Sequence, residues 1–108
     1  VAYNPGLYDN PNNESPLHYG VAKAGLVHLT KELAVRLAPL GILVNCIAFG
    51  GVDGQASEAF KIRYAQYCPL GRMLEDSEIA GPVDKILSSS FSAMTGHVLA
   101  VDGGWTIW

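Results

Sequence analysis

The run Gly41-Ile42-Leu43-Val44-Asn45-Cys46-Ile47-Ala48 constrains the fold more than any other stretch of this sequence. Its apolar residues fall on both parities, so neither face of a strand built from it can rest in water. Such a strand belongs to a parallel sheet covered by helices on both sides, and the chain reads as α/β. A second strand is predicted over His97-Val98-Leu99-Ala100-Val101. At 108 residues the chain makes at most one small domain.

The residues before the first strand predict a long helix from Pro16 to Ala38, about 34 Å at ~1.5 Å per residue. Ser15 is the expected cap and Pro16 the expected first helical residue, where a missing N–H costs nothing. Pro39 and Gly41 end it. Leu26, Leu29, Leu33 and Leu37 recur at helical spacing, while Ala22, Val27, Ala34 and Val35 fill other faces. A helix apolar on more than one side is buried on more than one side. One side is expected against the sheet and the other against a partner subunit, where Ala22, Ala24 and Gly25 allow close approach. Glu32 and Arg36 form a favourable pair one turn apart.

Residues 1–15 read as a loop with turn clusters at Asn4-Pro5-Gly6 and Asp9 to Asn13. Tyr3 and Tyr8 are its large groups, expected to pin it to the body. Ser57 to Tyr67 predicts a helix, and Cys68 to Arg72 a break in which Arg72 pins the loop that follows. Asp76 or Ser77 is expected to cap a helix running towards Leu87, kinked or restarted at Pro82. Lys85, among apolar neighbours, is expected to snorkel. Ser88 to Ser92 is a loop, and Asp102-Gly103-Gly104-Trp105 a turn.

Chemistry points first to Tyr19 and Lys23, four residues apart on the long helix and therefore on one face. A fixed ammonium beside a phenol favours the deprotonated form, and a group that exchanges protons near neutral pH is what a general acid or base must be. By spacing alone, a surface lysine beside a half-buried tyrosine is the commoner meaning. Phe49-Gly50-Gly51-Val52-Asp53-Gly54 reads as a flexible loop past the carboxyl end of the first strand, where ligands bind in open α/β sheets. Its glycines either let a cofactor approach the backbone or simply make a turn. It is neither a dinucleotide fingerprint nor a Walker-type cradle.

Other classes are disfavoured. The net charge is −3, with seven scattered Lys and Arg and no basic stripe, which argues against nucleic acid and anionic membranes as partners. No apolar run approaches the ~20 residues of a membrane span. Cys46 and Cys68 have no metal spacing; Cys46 is expected to be buried in its strand, and two buried thiols fit a reducing, cytoplasmic compartment. His18, His28 and His97 are too scattered for a metal site, and none is expected.

Tyr19-x-x-x-Lys23, then Val44-Asn45-Cys46-Ile47-Ala48-Phe49-Gly50-Gly51-Val52, then Pro69-Leu70-Gly71-Arg72, then Thr95-Gly96 and Val101-Asp102-Gly103-Gly104-Trp105 fall in one order. From about residue 16 to the end, that order resembles the carboxyl-terminal half of the short-chain dehydrogenase/reductase family. Within it, the tyrosine-bearing loop, Gly50-Gly51-Val52 and the Trp105 to Trp108 ending look most like the branch acting in bacterial surface-glycan and flagellin-sugar synthesis. The resemblance implies that residues 1–108 form a single partial domain, the carboxyl-terminal half of a doubly wound Rossmann-type sheet. It implies NAD or NADP as cofactor and a small carbonyl or alcohol substrate, a sugar derivative among the candidates. Tyr19 would be the proton donor or acceptor, and Lys23 would bind the nicotinamide ribose. The backbone of Phe49, Gly50, Gly51 and Val52 would border the nicotinamide. Helix 16–38 would pair subunits in a homodimer or homotetramer.

The sequence departs from the family pattern in instructive places. Nothing in it matches the family's phosphate-binding loop, and no serine lies where the catalytic one is expected. Phe49 stands for a usual proline, Gly54 for a cofactor-holding threonine, Lys85 for an apolar residue and Ser89 for an acid. The reading is therefore of a fragment or truncated copy of an NAD(P)-dependent oxidoreductase, inactive on its own. The alternative is a non-catalytic remnant that serves only as an oligomerisation module.

Overall fold

The structure, a computed structural model, describes residues 2–108, and of residues 11 and 89 the backbone alone. Val1, the first residue of the predicted opening loop, lies outside the described residues. The chain is α/β. Helix α1 spans Leu17–Leu37, strand β1 Cys46–Phe49, helix α2 Glu58–Tyr67, helix α3 Ser77–Leu87 and strand β2 Val98–Val101. β1 and β2 pair in parallel with Cys46 opposite Val98 and Phe49 opposite Val101. Among the described residues the sheet has these two strands, so each keeps one edge without a neighbour.

β1 is shorter at its start than the apolar run suggested, and it extends to Phe49. Side chains take over the pairing before Cys46. The Asn45 amide donates to Met94 O at 2.8 Å and accepts from His97 N at 3.1 Å, while Thr95 Oγ1 accepts from Val44 N. Regular pairing begins one residue later, where Cys46 N donates to His97 O. Cys46 is half-buried rather than buried.

Two helix starts differ from expectation. Pro16, not Ser15, is the N-cap of α1, in an extended conformation and without a side-chain cap bond. Asp76 at the head of α3 has helical backbone angles and makes no cap bond. Glu78 does that work instead: its carboxylate accepts from Glu75 N at 2.8 Å and takes a two-pronged contact from the Arg72 guanidinium at 2.8 and 3.0 Å. Arg72 also donates to Met73 O, so it pins the loop as expected. α2 starts as read, with Ser57 Oγ accepting from Phe60 N. Pro82 sits inside α3 without ending it.

The core is not where the apolar helix pointed. Leu7, Tyr64, Cys68 and Met73 form the buried cluster, with Tyr8, Ala56, Phe60 and Trp105 packed against it. Leu7, not the two tyrosines alone, anchors the opening loop. On α1 only Thr30 and Ala34 are buried, and Leu17, Val21, Leu26, Leu29 and Val35 stay exposed. The radius of gyration is 15.9 Å. A compact domain of this length is about 13 Å. The long helix therefore projects from a small body, and apolar surface that a parallel sheet would normally cover is open.

Candidate active site

Tyr19 sits in the first turn of α1, with its N–H donating to Pro16 O at 2.9 Å. One turn on, Lys23 Nζ stands 5.5 Å from the centroid of the Tyr19 ring. The two side chains share one side of the helix, and the ammonium lies over the ring face, a favourable cation–π arrangement. Tyr19 is 53% exposed.

The opposite end of α1 fixes where Tyr19 lies. Residues 38–45 join the end of α1 to the start of β1, against which α1 packs, so the helix runs back along the strands. Ala34 Cβ lies 3.5 Å from the position a Cβ would take at Gly96, just before β2. From Ala34 back to Tyr19 is about 22 Å of helix at ~1.5 Å per residue. From Gly96 forward to Asp102 is about 20 Å of extended chain at ~3.3 Å per residue. The two lengths are similar, and Phe49, Gly50, Gly51 and Val52 follow at the carboxyl end of β1.

The segment after β1 is laced down rather than flexible, which corrects the sequence reading. Gly50 N donates to Val101 O, and a Cβ at Gly50 would come 2.8 Å from Asp102 Cα, so the two backbones approach too closely for any side chain. Gly51 N donates to the Tyr64 hydroxyl at 2.7 Å. Leu74 N donates to Gly51 O at 2.8 Å and Asp53 N to Leu74 O at 2.7 Å, making a parallel bridge between Val52 and Leu74. Asp53 then meets the Lys61 ammonium of α2 at 2.8 Å.

Several of these partners had no clear sequence signal. Tyr64 is 5% exposed and lies on the Trp105 ring at 4.3 Å and 7°. Burial pushes its phenol up, against the smaller opposing effect of the Gly51 N–H. On a short helix of mixed faces nothing marked it out. Asp102 had a signal, since Asp-Gly-Gly is an Asx-turn pattern. Its carboxylate accepts from Gly104 N at 2.9 Å, Thr106 N at 3.1 Å and Thr106 Oγ1 at 2.7 Å. Burial opposes its charge, but the bonds from Thr106 and Gly104 outweigh it and hold the carboxyl below its ordinary range. The opening loop is bound to α2 by Arg63, whose Nε donates to Leu7 O at 2.7 Å, and by Tyr8 against Phe60. Tyr3 stacks on Tyr8, and the Glu14 carboxylate beside it pushes its phenol up to about 12, which makes it a poor proton carrier at neutral pH. Among the described residues no group of His, Cys, Asp and Glu could hold a metal, and no helix is long and apolar enough to cross a membrane.

A family model described as enoyl-(acyl carrier protein) reductase matches residues 6–106. The chain is 37% identical over 98 residues to post-translational flagellin modification protein A of Campylobacter coli, covering 91% of this chain and 38% of that protein. It is 38% identical over 96 residues to the 3-oxoacyl-(acyl-carrier-protein) reductase FabG of Aquifex aeolicus, covering 85% and 39%. The crystal structure of a short chain dehydrogenase from Leptospira borgpetersenii with bound NAD+ superposes with a TM-score of 0.88 at 40% identity. That match covers 98% of this chain and 39% of the other. The chain therefore spans about two fifths of the length of these relatives. With a matching family model over nearly its whole length and a parallel α/β fold shared with solved members, the chain belongs to the short-chain dehydrogenase/reductase family.

Proposed function

We propose that these residues are the carboxyl-terminal half of one Rossmann-type domain, in an NAD(P)-dependent oxidoreductase acting between a small carbonyl compound and its alcohol. The observation that carries this reading is the Lys23 ammonium over the Tyr19 ring, on the helix that packs against the first of two parallel strands. The donor set suits one end of a dinucleotide: an ammonium and a phenol for the hydroxyls of the nicotinamide ribose, and the backbone of Phe49, Gly50, Gly51 and Val52 for the edge of the ring. When bound, the nicotinamide supplies or accepts the hydride. Tyr19 gives its hydroxyl proton to the carbonyl oxygen in reduction and takes a proton from the alcohol in oxidation. Lys23 would hold the ribose hydroxyls beside the Tyr19 ring. The bridge between Val52 and Leu74 keeps the edge in one place, so little reorganisation accompanies reaction.

The likeness to FabG, a 3-oxoacyl reductase by name, supports a carbonyl substrate, and the sequence resemblance favours a sugar derivative among such compounds. The exposed Leu17, Val21, Leu26, Leu29 and Val35 of α1 support pairing of two or four copies through residues 16–38. Two free thiols fit the reducing cytoplasm. For the 108 residues alone, the open strand edges and the projecting helix favour a chain without turnover of its own.

The test compares the product of the whole reading frame with the 108-residue chain. The former is expected to bind NAD(P)H and oxidise it in the presence of a panel of ketones and keto-sugars, and the latter to do neither. A whole product that does not bind NAD(P)H contradicts the proposal.

A further inference from the structure

We infer that Tyr64 is a positioning residue for the cofactor edge, standing in the space that a side chain at position 51 would need while holding the Gly51 N–H. The inference rests on the function proposed above. Gly51 is not among the glycines with left-handed backbone angles, which are Gly41, Gly71, Gly96, Gly103 and Gly104. Conformation therefore does not require glycine there; room does. A Cβ at Gly51 would lie 2.8 Å from Tyr64 Cε2 and 3.0 Å from Met73 Cε, closer than side chains approach one another. The Tyr64 hydroxyl meets Gly51 N at 2.7 Å, while the Gly51 carbonyl is fixed from the other side by Leu74 N. The ring has little freedom of its own, being buried, stacked on Trp105 at 4.3 Å and packed near Phe60. Trp105 in turn leaves the turn that Asp102 ties together. A run of contacts thus reaches from the carboxyl end of β2, through Trp105 and Tyr64, to the middle of the Gly50–Val52 edge.

Loss of the hydroxyl frees that edge without emptying the core, and binding sites are sensitive to displacements of about 1 Å. In the product of the whole reading frame, Tyr64→Phe keeps the ring on Trp105 and removes one hydrogen bond. Gly51 amide exchange is expected to quicken about five- to tenfold, the equilibrium equivalent of one such bond. The KM and Kd for NAD(P)H should rise by a similar factor of about five, while kcat at saturating cofactor moves little and the thermal midpoint falls by only a few degrees. Gly51→Ala is expected to weaken cofactor binding in the Tyr64 background but to add little further loss to Tyr64→Leu, which lacks the hydroxyl and clears the space. Unchanged exchange and unchanged cofactor affinity in Tyr64→Phe overturn the inference. So does an equal effect of Gly51→Ala in both backgrounds, and so does faster exchange with unaltered affinity. The unsubstituted protein separates this failure from that of the function itself: if it neither binds NAD(P)H nor reduces a carbonyl, the enzymatic reading falls, and the positioning role of Tyr64 falls with it. If it does both, only the assignment of Tyr64 is at stake.

Discussion

Replacing Asp102 by alanine should loosen the whole carboxyl-terminal turn, and the structure gives the size of the effect. Asp102 is 9% exposed, and its carboxylate accepts three hydrogen bonds, from Gly104 N, Thr106 N and Thr106 Oγ1. Bonds to a charged acceptor lie at the strong end of the range, but Thr106 is exposed and water can replace part of what is lost. At about 1 kcal/mol each, the loss is about 3 kcal/mol. A domain is stable by only ~5–15 kcal/mol, so the effect is a large fraction of the whole. Asp102→Asn keeps one acceptor oxygen and should cost about half as much. Urea unfolding of the whole reading-frame product, followed by tryptophan fluorescence, reads this directly, because Trp105 leaves the same turn. A cost below about 0.5 kcal/mol for Asp102→Ala, within the scatter of ordinary surface changes, refutes the reasoning. The pH dependence supplies a second check. The folded carboxyl titrates below its ordinary range, so its stabilisation is complete above the unfolded value and is lost as pH falls through the folded one. The alanine variant should lack that part of the acid response.

Two further outcomes follow from charged contacts. The Arg72 guanidinium and the Glu75 N–H lower the Glu78 carboxyl from 4.5 to about 2. The contact therefore contributes its full share above about pH 4.5 and loses it as pH falls towards 2, and Glu78→Gln should flatten the stability profile over that interval; a profile unchanged by the substitution would show that the pair does not anchor the loop. Arg63→Met removes the donor to Leu7 O and the ion pair with Asp9, so limited proteolysis should cut within residues 2–13 several-fold faster; an unchanged cleavage rate would mean that Leu7 and Tyr8 hold the loop without it.

Much of this fold was legible because a few local patterns are nearly sufficient. An apolar run on both parities forces a parallel strand. A serine before a glutamate-headed segment starts α2, and Gly41 at φ 71° closes the short 3-10 turn, residues 38–40, that follows α1. The spacing of Tyr19 and Lys23 placed their side chains on one face, where they are found. What sequence could not show is what depends on distant partners. Ser15 lost the cap of α1 to an extended Pro16, and Glu78 took the capping role from Asp76 because Arg72 reaches it across the loop. The second apolar face of α1, expected against a partner subunit, stays open in the single chain. Glycine-rich Gly50–Gly54 looked mobile because glycine is usually read as freedom. At Gly50 it answers the close approach of Asp102, and at Gly51 it answers a tyrosine thirteen residues on.

The central claim is that the phenol of Tyr19, beside the Lys23 ammonium, moves the proton in a hydride-transfer reaction. Turnover of Tyr19→Phe in the product of the whole reading frame tests it most directly, measured as carbonyl reduction at saturating NAD(P)H alongside the dissociation constant of the nucleotide. A fall of at least about a hundredfold in kcat is expected, the contribution of a positioned general acid, with nucleotide affinity weakened by no more than about tenfold. Near-normal turnover would contradict it and remove Tyr19 from the chemistry.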